Sequence, residues 1–167
     1  MTTVATARTA GDRGEPYLTA AGPTPVCGPP RSPGPAGARA APVRIGADLA
    51  PARVAGDPEL LERIVANLLD NAVRHDVPDG WVHVATAQEP GRAVLVVANS
   101  GPVLPPDEVT GLLEPFRRLG AARTGDGGLG LGLSIVAAIA RAHAGTVALQ
   151  ARGDGGLEVR IALPRGT

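Results

Sequence analysis

The clearest pattern in the chain is a run of apolar residues that recur every three or four positions between residues 58 and 75. This spacing is the period of one face of an α-helix. Asp57 and Pro58 open the run, and aspartate followed by proline is a typical N-cap and first helical position. We therefore predict a helix over about residues 58–75, with a buried stripe formed by Leu61, Ile64, Val65, Leu68, Leu69 and Ala72.

Other apolar runs predict strands. Residues 81–87 and 92–99 are joined by a turn sequence that contains Glu-Pro-Gly, and residues 146–151 and 157–163 flank the sequence GDGG. Each pair is expected to form a hairpin, with Leu157, Val159, Ile161 and Leu163 facing inward. Two shorter strands are indicated by VRIGAD at 43–48 and ARVAG at 52–56.

Two further helices complete the pattern. Residues 107–113 indicate a short helix, and the apolar residues 131–144 indicate a buried helix with Gly145 as its C-cap. Strands and helices in this order predict a mixed sheet with helices on one face. The expected fold class is α+β, a two-layer α/β sandwich.

Composition divides the chain into two parts. Residues 1–41 are rich in proline, glycine and alanine, and proline at this density blocks helices and sheet ladders. We predict a disordered tail over 1–41 and one folded domain over 42–167. No apolar stretch reaches the roughly 20 residues of a membrane helix, and the N-terminus lacks the apolar segment of a secretory signal. The expected location is cytoplasmic, with no membrane contact by this chain.

Charge and residue usage narrow the possible ligands. The 16 basic and 16 acidic residues cancel, so no overall field attracts nucleic acid, and we expect no nucleic-acid partner. The chain has no lysine, which argues against P-loop enzymes and against protein kinases with a strand lysine. One cysteine and three scattered histidines offer no cluster of metal ligands. A charged ligand must therefore be bound by a local site.

Polar residues on the first predicted helix form a ridge opposite the apolar stripe. Asn67, Asn71 and Arg74 are spaced by four and three residues and so share one face. Asparagine offers an amide oxygen to Mg²⁺ and an NH₂ group to phosphate, and arginine neutralises phosphate. The same spacing also fits an ordinary solvated helix face, so other parts of the sequence have to decide between the two interpretations.

Two glycine-containing segments also suggest contact with a ligand. The sequence NSG at 99–101 follows a predicted strand, where a polar side chain can read a base edge, although the segment also fits a turn. Glycines at 128, 130 and 132 come directly before a predicted helix, whose free N–H groups can bind phosphate. The alternative for these glycines is a flexible loop. A dinucleotide-binding fingerprint at 125–130 is discounted because no strand precedes it.

Taken in order, four segments resemble the motifs of one family. NLLDNAVRH at 67–75, NSG at 99–101, EPFRRL at 114–119 and GLGLGLSIV at 128–136 are similar to the N, first G, F and second G boxes of sensor histidine kinases. Both order and spacing match, and the resemblance covers about residues 43–164. It implies the Bergerat ATP-binding fold, with ATP and Mg²⁺ held under a glycine-rich lid.

The resemblance also implies roles for individual residues. Asn71 would coordinate Mg²⁺, while Asn67 and Arg74 would lie against the phosphates. His75 would pack near the nucleoside, although a histidine there also fits a helix-end cation. Phe116 would anchor the lid, with ordinary core packing as the alternative. The other residues expected to line the ATP site are Asn99, Gly101, Gly128, Gly130, Gly132 and Leu133.

Two residues depart from the family pattern. Asn99 stands where the family usually has an aspartate that accepts a hydrogen bond from the adenine amino group. Asparagine keeps an acceptor but loses the charge-assisted strengthening, which predicts weaker ATP binding. Val103, preceded by Pro102, replaces the second glycine of the first G box and predicts a stiffer base pocket.

The implied reaction is transfer of the γ-phosphate of ATP to a histidine. Related ATPases place a glutamate one helical turn before the magnesium asparagine to activate water, whereas this chain has Asn67 there, which favours transfer to a protein over hydrolysis. The histidines of the chain, at 75, 83 and 143, all lie inside the predicted nucleotide domain. The expected partners are therefore a histidine-bearing dimerisation domain, in another domain or chain, and a response regulator.

Three other interpretations stay open on the sequence alone. A non-catalytic regulator would use ATP to close its lid and alter a protein interface. Anti-sigma-factor serine kinases share segments like NAVRH but usually keep the glutamate. A vestigial pocket that binds no nucleotide is suggested by Asn99 and Val103.

Overall fold

The computed structural model describes residues 6–9, 16–19, 43–116 and 130–166. Its elements, in chain order, are β1 (Thr6–Thr9), β2 (Pro16–Thr19), β3 (Arg44–Leu49), β4 (Ala52–Arg53), α1 (Pro58–Arg74), β5 (Trp81–Glu89), β6 (Arg92–Asn99), α2 (Pro106–Val109), a 3-10 turn (Thr110–Leu113), α3 (Gly132–Ala142), β7 (Thr146–Ala151) and β8 (Leu157–Pro164). The two predicted hairpins and both long predicted helices are confirmed.

A five-stranded mixed sheet forms one layer of the domain. Its strand order is β3-β5-β6-β8-β7. β3 runs parallel to β5, and every other neighbouring pair is antiparallel. The polypeptide passes between the two parallel strands through α1, as a parallel pair requires a crossover connection. The mixed sheet with its helices confirms the predicted α+β class.

A second, smaller sheet joins the N-terminal segment to β4. Its strand order is β1-β2-β4, with antiparallel pairing. β1 and β2 fall within residues 1–41, for which the sequence predicts a disordered tail, so these two strands differ from that prediction. Apart from Pro16, which begins β2, every residue of the two strands carries a backbone N–H that can join a ladder. The other residues of 1–41 lie outside the described part of the chain, and the boundary at 41/42 stays a prediction.

α1 begins and ends as the sequence predicts. The Asp57 carboxylate caps it by accepting hydrogen bonds from the N–H groups of Glu59 and Leu60, at 2.8 and 3.2 Å. At the other end the N–H of His75 donates to the carbonyl of Asn71 at 3.1 Å. The buried residues of the helix are the predicted stripe, Leu61, Ile64, Val65, Leu68 and Ala72, with Leu69 partly buried beside them.

The turn after α3 differs from the prediction in one position. The residue in the left-handed conformation is Ala144, with φ of 53°, and the N–H of Gly145 donates to the carbonyl of Ala140 at 2.8 Å. This is the Schellman pattern with alanine in the place usually taken by glycine. The sequence predicts Gly145 as the C-cap, whereas the observed C-cap is His143 and Gly145 lies two residues beyond it. Gly145 is required by packing instead, because a Cβ there would lie 2.7 Å from the carbonyl oxygen of Ala162.

The hydrophobic core lies between the five-stranded sheet and the two long helices. The predicted inward residues of β8 are at most 5% exposed, and they pack with the apolar stripes of α1 and α3. An apolar cavity of about 10 Å³ lies among residues of α1, β6 and β8. It is about large enough for one water molecule. The cavity is too small for any ligand much larger than water.

A histidine connects the end of α3 to the start of α1. Nδ1 of His143 donates to the carbonyl of Ile139 at 2.9 Å, and Nε2 accepts from the N–H of Asp57 at 3.1 Å. These two bonds require the proton on Nδ1. Gly56 makes room for the ring, since a Cβ there would lie 2.8 Å from Nε2 of His143. The arrangement agrees with a structural role for this histidine.

Candidate functional site

The polar ridge of α1 lies beside the start of α3. Nδ2 of Asn67 donates to the carbonyl of Arg63 at 2.8 Å, which leaves its Oδ1 directed away from that bond. A Cβ placed on Gly132, the first residue of α3, would be 3.7 Å from this Oδ1. The fold thus brings together the N-box asparagine and the second glycine motif, which are 65 positions apart in the sequence.

The start of α3 keeps its backbone donors available. Among the described residues no side chain caps this end, and the first turn holds no acidic residue. Gly130 adopts φ of 69°, a conformation that glycine takes without strain. Leu133 is 7% exposed and packs in the core, so the group it can offer a ligand is its backbone N–H. Unpaired N–H groups and the helix dipole together favour an anion at this position.

Asn71 and Arg74 lie one turn further along the same ridge. Asn71 is half-buried, and no hydrogen bond to its side chain is found among the described residues. Arg74 pairs with Asp70 at 2.7 Å, one turn back on the helix. Both partners of this pair are more than a third exposed, so it contributes only about 0.3–0.5 kcal/mol. The guanidinium can therefore exchange this partner for a phosphate at little cost.

Three backbone segments converge where α1 ends. A Cβ on Gly101 would lie 3.0 Å from the carbonyl oxygen of His75 and 3.2 Å from Cα of Gly156. Gly156 has φ of 94°, and a Cβ there would overlap the carbonyl oxygen of Asn99. The end of α1, the NSG segment and the β7–β8 turn are thus packed backbone against backbone. Asn99 is held at this junction with 5% of its surface exposed.

Ser100 is the most heavily hydrogen-bonded residue of the NSG segment. Its N–H donates to the carbonyl of Trp81 at 2.9 Å, and its Oγ accepts from the N–H of Trp81 at 2.8 Å. The same hydroxyl donates to Oδ1 of Asp76, the residue that follows the C-cap of α1. Asp76 and Ser100 therefore link α1 to the strand pair that carries Asn99.

The predicted lid is only partly described. Phe116 lies at its start, with φ of 64° and 70% of its surface exposed. Core packing, the alternative for this residue, is therefore not observed. Gly128 and the rest of residues 117–129 lie outside the described part of the chain. The role of Phe116 as lid anchor stays a prediction.

The sequence did not point to Asp76 or Gly156 as parts of the site. Asp76 resembles an ordinary helix-end residue, and GDGG resembles an ordinary hairpin turn. The signal that could have identified this part of the site is the pair of adjacent glycines at 155 and 156. A four-residue turn rarely needs two adjacent glycines unless another backbone approaches it closely. Which backbone approaches is set by strand pairing between distant segments.

Known proteins contain the same arrangement. Residues 56–167 match the family described as histidine kinase-, DNA gyrase B- and HSP90-like ATPase. The chain belongs to this family. Sensor protein CutS of Streptomyces coelicolor is 58% identical over 113 residues, which are 66% of this chain and 27% of CutS. The kinase/phosphatase MprB of Mycobacterium avium is 40% identical over 110 residues, 65% of this chain and 21% of that protein.

Solved structures of histidine kinase-like ATPase domains agree with the sequence match. A mycobacterial sensor histidine kinase MprB superposes with a TM-score of 0.67 at 36% identity, covering 74% of this chain and 84% of that one. This chain is thus an ATP-binding domain of the sensor histidine kinase type. It spans about a quarter of the length of CutS. No helix in the described part of this ATPase domain is long and apolar enough to cross a bilayer.

Proposed function

We propose that this domain binds Mg²⁺-ATP and transfers the γ-phosphate to a histidine supplied by another domain or chain. The observation that carries the proposal is the meeting of three features along α1. They are the amide ridge of Asn67 and Asn71, the uncapped start of α3 beside it, and the buried Asn99 at the far end. This order suits the phosphates at one end of the ridge and the base at the other.

The residues present fit a magnesium ion. Among the described residues no three His, Cys, Asp or Glu side chains form a metal cluster. Mg²⁺ does not need one in a nucleotide site, where one or two protein oxygens, waters and phosphate oxygens complete its shell. Oδ1 of Asn71 is a hard oxygen donor on a half-buried amide, without a hydrogen bond to any described residue. When bound, Mg²⁺ would offset charge on the phosphate oxygens.

The chain's own residues would bind and orient the triphosphate. The backbone N–H groups at Gly132 and Leu133 would donate to phosphate oxygens, and Arg74 would leave Asp70 to neutralise charge. His75 would flank the nucleoside, and its carbonyl oxygen packs against Gly101, which fixes its position at the end of α1. Closure of the glycine-rich lid that the resemblance implies would exclude water from the reacting phosphate.

Transfer to a protein acceptor suits this site better than hydrolysis. At the position one turn before Asn71 stands Asn67, an amide that cannot act as a general base, and its Nδ2 is already bonded within the helix. Two of the three described histidines make contacts within the fold, since His83 pairs with Asp48 at 3.1 Å and His143 connects α3 to α1. We therefore propose an acceptor on a histidine-bearing dimerisation domain and a response regulator downstream, in the cytoplasm.

The first test is thermal unfolding of the purified chain with increasing Mg²⁺-ATP, beside Asn71→Ala and the control Glu62→Ala on the exposed side of α1. Ligand at 100 times its Kd should stabilise the native state by about 2.7 kcal/mol. The stabilisation should require Mg²⁺, disappear in Asn71→Ala and persist in Glu62→Ala. If millimolar ATP stabilises none of the three proteins, the proposal of nucleotide binding is wrong.

The second test is transfer of radiolabel from γ-labelled ATP to a separate histidine-bearing dimerisation domain. Acid-labile label on that domain supports phosphotransfer. Tight ATP binding without transfer to any cognate domain would support a nucleotide-gated regulator instead. Label that resists acid and lies on serine would support the anti-sigma-factor type of kinase.

A further inference from the structure

The Asn99 side chain has a defined amide orientation. Its Nδ2 donates to the carbonyl oxygen of Ser100 at 2.6 Å. No described residue donates to its Oδ1, and this oxygen is not one of the two unpaired polar atoms sealed from solvent in the described part of the chain. Those two are Oδ2 of Asp76 and Nε of Arg152. The amide thus turns its donor inward and keeps its acceptor available.

The Ser100 carbonyl that fixes this orientation is itself held in place. The backbone N–H and the Oγ of Ser100 form a pair of bonds to the backbone of Trp81, at 2.9 and 2.8 Å. The hydroxyl then donates to Asp76. Asp76 has little room to move, since a Cβ on Gly80 would overlap its carboxylate and its Oδ2 is sealed from solvent. The chain of contacts runs from Asp76 through Ser100 to the Asn99 amide.

An amide needs such positioning in a way that a carboxylate does not. Both oxygens of a carboxylate are acceptors, so rotation by a half-turn changes nothing. Rotation of the Asn99 amide would exchange acceptor for donor toward the ligand. It would also place Oδ1 against the Ser100 carbonyl, where two acceptors face each other without a hydrogen.

We propose that Asp76 and Ser100 are positioning residues that keep Oδ1 of Asn99 toward the base, so that the site selects a purine with a 6-amino group over one with a 6-oxo group. The inference rests on the proposed ATP site. A 6-amino group donates to Oδ1, whereas a 6-oxo group would meet it as a second acceptor and leave both unsatisfied. Selectivity for adenine would thus depend on residues that do not touch the nucleotide.

The experiment compares Kd values for Mg²⁺-ATP and Mg²⁺-ITP by calorimetry, because hypoxanthine carries a 6-oxo group and differs from adenine in that region of the ring only. The wild-type chain should prefer ATP by about tenfold or more, the value expected for a lost hydrogen bond that leaves a buried acceptor unpaired. Ser100→Ala and Asp76→Ala should bring the ratio of the two Kd values towards one. Ser100→Thr, which keeps the hydroxyl, should retain the wild-type ratio.

A double substitution separates positioning from general loosening. With Asn99→Asp, the ratio should no longer depend on residue 100, since a carboxylate presents an acceptor in either orientation. A merely structural role for Ser100 would weaken both nucleotides equally and leave the ratio unchanged, which would overturn the inference. Melting temperatures of the ligand-free variants show whether each is folded. If Ser100→Ala does not fold, Asp76→Ala alone provides the test of the Kd ratio.

Each remaining outcome also tests the proposed selectivity. Equal binding of ATP and ITP by the wild-type chain would overturn the proposed selectivity while leaving ATP binding intact. Binding of neither nucleotide would overturn the proposed function, and this inference with it. A preference for ATP that survives in Ser100→Ala and Asp76→Ala would show that another group reads the base.

Discussion

The two ends of α1 differ in how their polar groups are hydrogen-bonded. At the N-terminal end the Asp57 carboxylate accepts two backbone N–H groups, and the Asp57 N–H is taken by His143. At the C-terminal end the backbones of His75, Gly101 and Gly156 are in contact, yet the side chain of Asn71 has no hydrogen bond to a described residue. The polar groups of the N-terminal end are used by the fold, whereas the Asn71 amide near the C-terminal end is left for a ligand.

This difference predicts three kinds of mutational effect. Changes at the N-terminal end should lower the free energy of unfolding and leave nucleotide affinity nearly unchanged, because the ligand groups are about two turns or more away. Changes in the side chains at the C-terminal end should lower nucleotide affinity and leave the free energy of unfolding nearly unchanged. Changes in its backbone packing should affect both quantities.

The largest effect is expected for Gly156→Ala. The added Cβ would overlap the carbonyl oxygen of Asn99, and φ of 94° is strained for alanine. Strain of about 1–3 kcal/mol and overpacking of about 1–3 kcal/mol add to a loss of roughly 2–6 kcal/mol in unfolding free energy. Urea unfolding measures this loss, and ATP affinity should fall in the same variant because Asn99 is displaced.

Gly153→Ala is the matched control in the same turn. A Cβ there meets nothing within 4 Å, and Gly153 has no positive φ. Its unfolding free energy should stay within about 0.5 kcal/mol of wild type. Equal losses in the two variants would mean that the turn is generally sensitive to alanine, and that the contact with Asn99 is not the cause.

A smaller effect, confined to stability, is expected for His143→Ala at the other end. The substitution removes the bonds to Ile139 and Asp57, at a cost of about 1–2 kcal/mol. The Kd for Mg²⁺-ATP should stay within about twofold of wild type. The control is His83→Ala, which breaks a partly exposed pair with Asp48 and should cost about 0–1 kcal/mol.

A clear loss of ATP affinity in His143→Ala would contradict the division between the two ends. It would mean that the connection between α3 and α1 controls the position of Gly132 beside Asn67. The unfolding midpoint and the Kd must therefore be measured on the same preparation.

The contrast between the two ends also explains what sequence reasoning could reach. The N-cap, the buried stripe and the hairpins depend on neighbours within a few residues, and periodicity and turn chemistry describe such neighbours well. The ridge of Asn67, Asn71 and Arg74 was predicted for the same reason, since helical spacing places them on one face. The position of α3 beside that ridge agrees with the order of the four family motifs. That order indicates which distant segments meet, whereas periodicity describes near neighbours only.

Tertiary contacts account for what was missed. Gly156 meets Asn99 only because β6 and β8 pair with Leu157 opposite Asn99. The sequence predicts Gly145 as the C-cap of α3, whereas His143 takes that position and Gly145 is required by its close packing against Ala162 of β8. In each case the role of the glycine depends on contact with a strand that is distant in sequence, which local pattern does not describe.

The smallest expected effect lies on the β7–β8 turn, next to the contact made by Gly156. Nη2 of Arg152 donates to Oδ2 of Asp154 at 2.9 Å, and this hydrogen bond, with a backbone one, lowers the pKa of the Asp154 carboxyl below its ordinary value of 3.8. The Arg152 guanidinium also lies over the Trp81 ring, 4.8 Å from its centre, which keeps it in place.

The sign of the pH effect follows from the direction of this shift. A carboxyl whose folded-state pKa is depressed stabilises the fold above its unfolded pKa, and the contribution is lost as the pH falls through the folded value. Here that window lies below pH 3.8. A carbon-detected NMR titration should give a midpoint for Asp154 below that of an unstructured aspartate, and Arg152→Ala should raise that midpoint towards the ordinary value. An unchanged midpoint in Arg152→Ala would assign the shift to the backbone of the turn. Because Asp154 is exposed, ATP affinity should not change in either case, and the turn would affect the site through the Gly156 backbone alone.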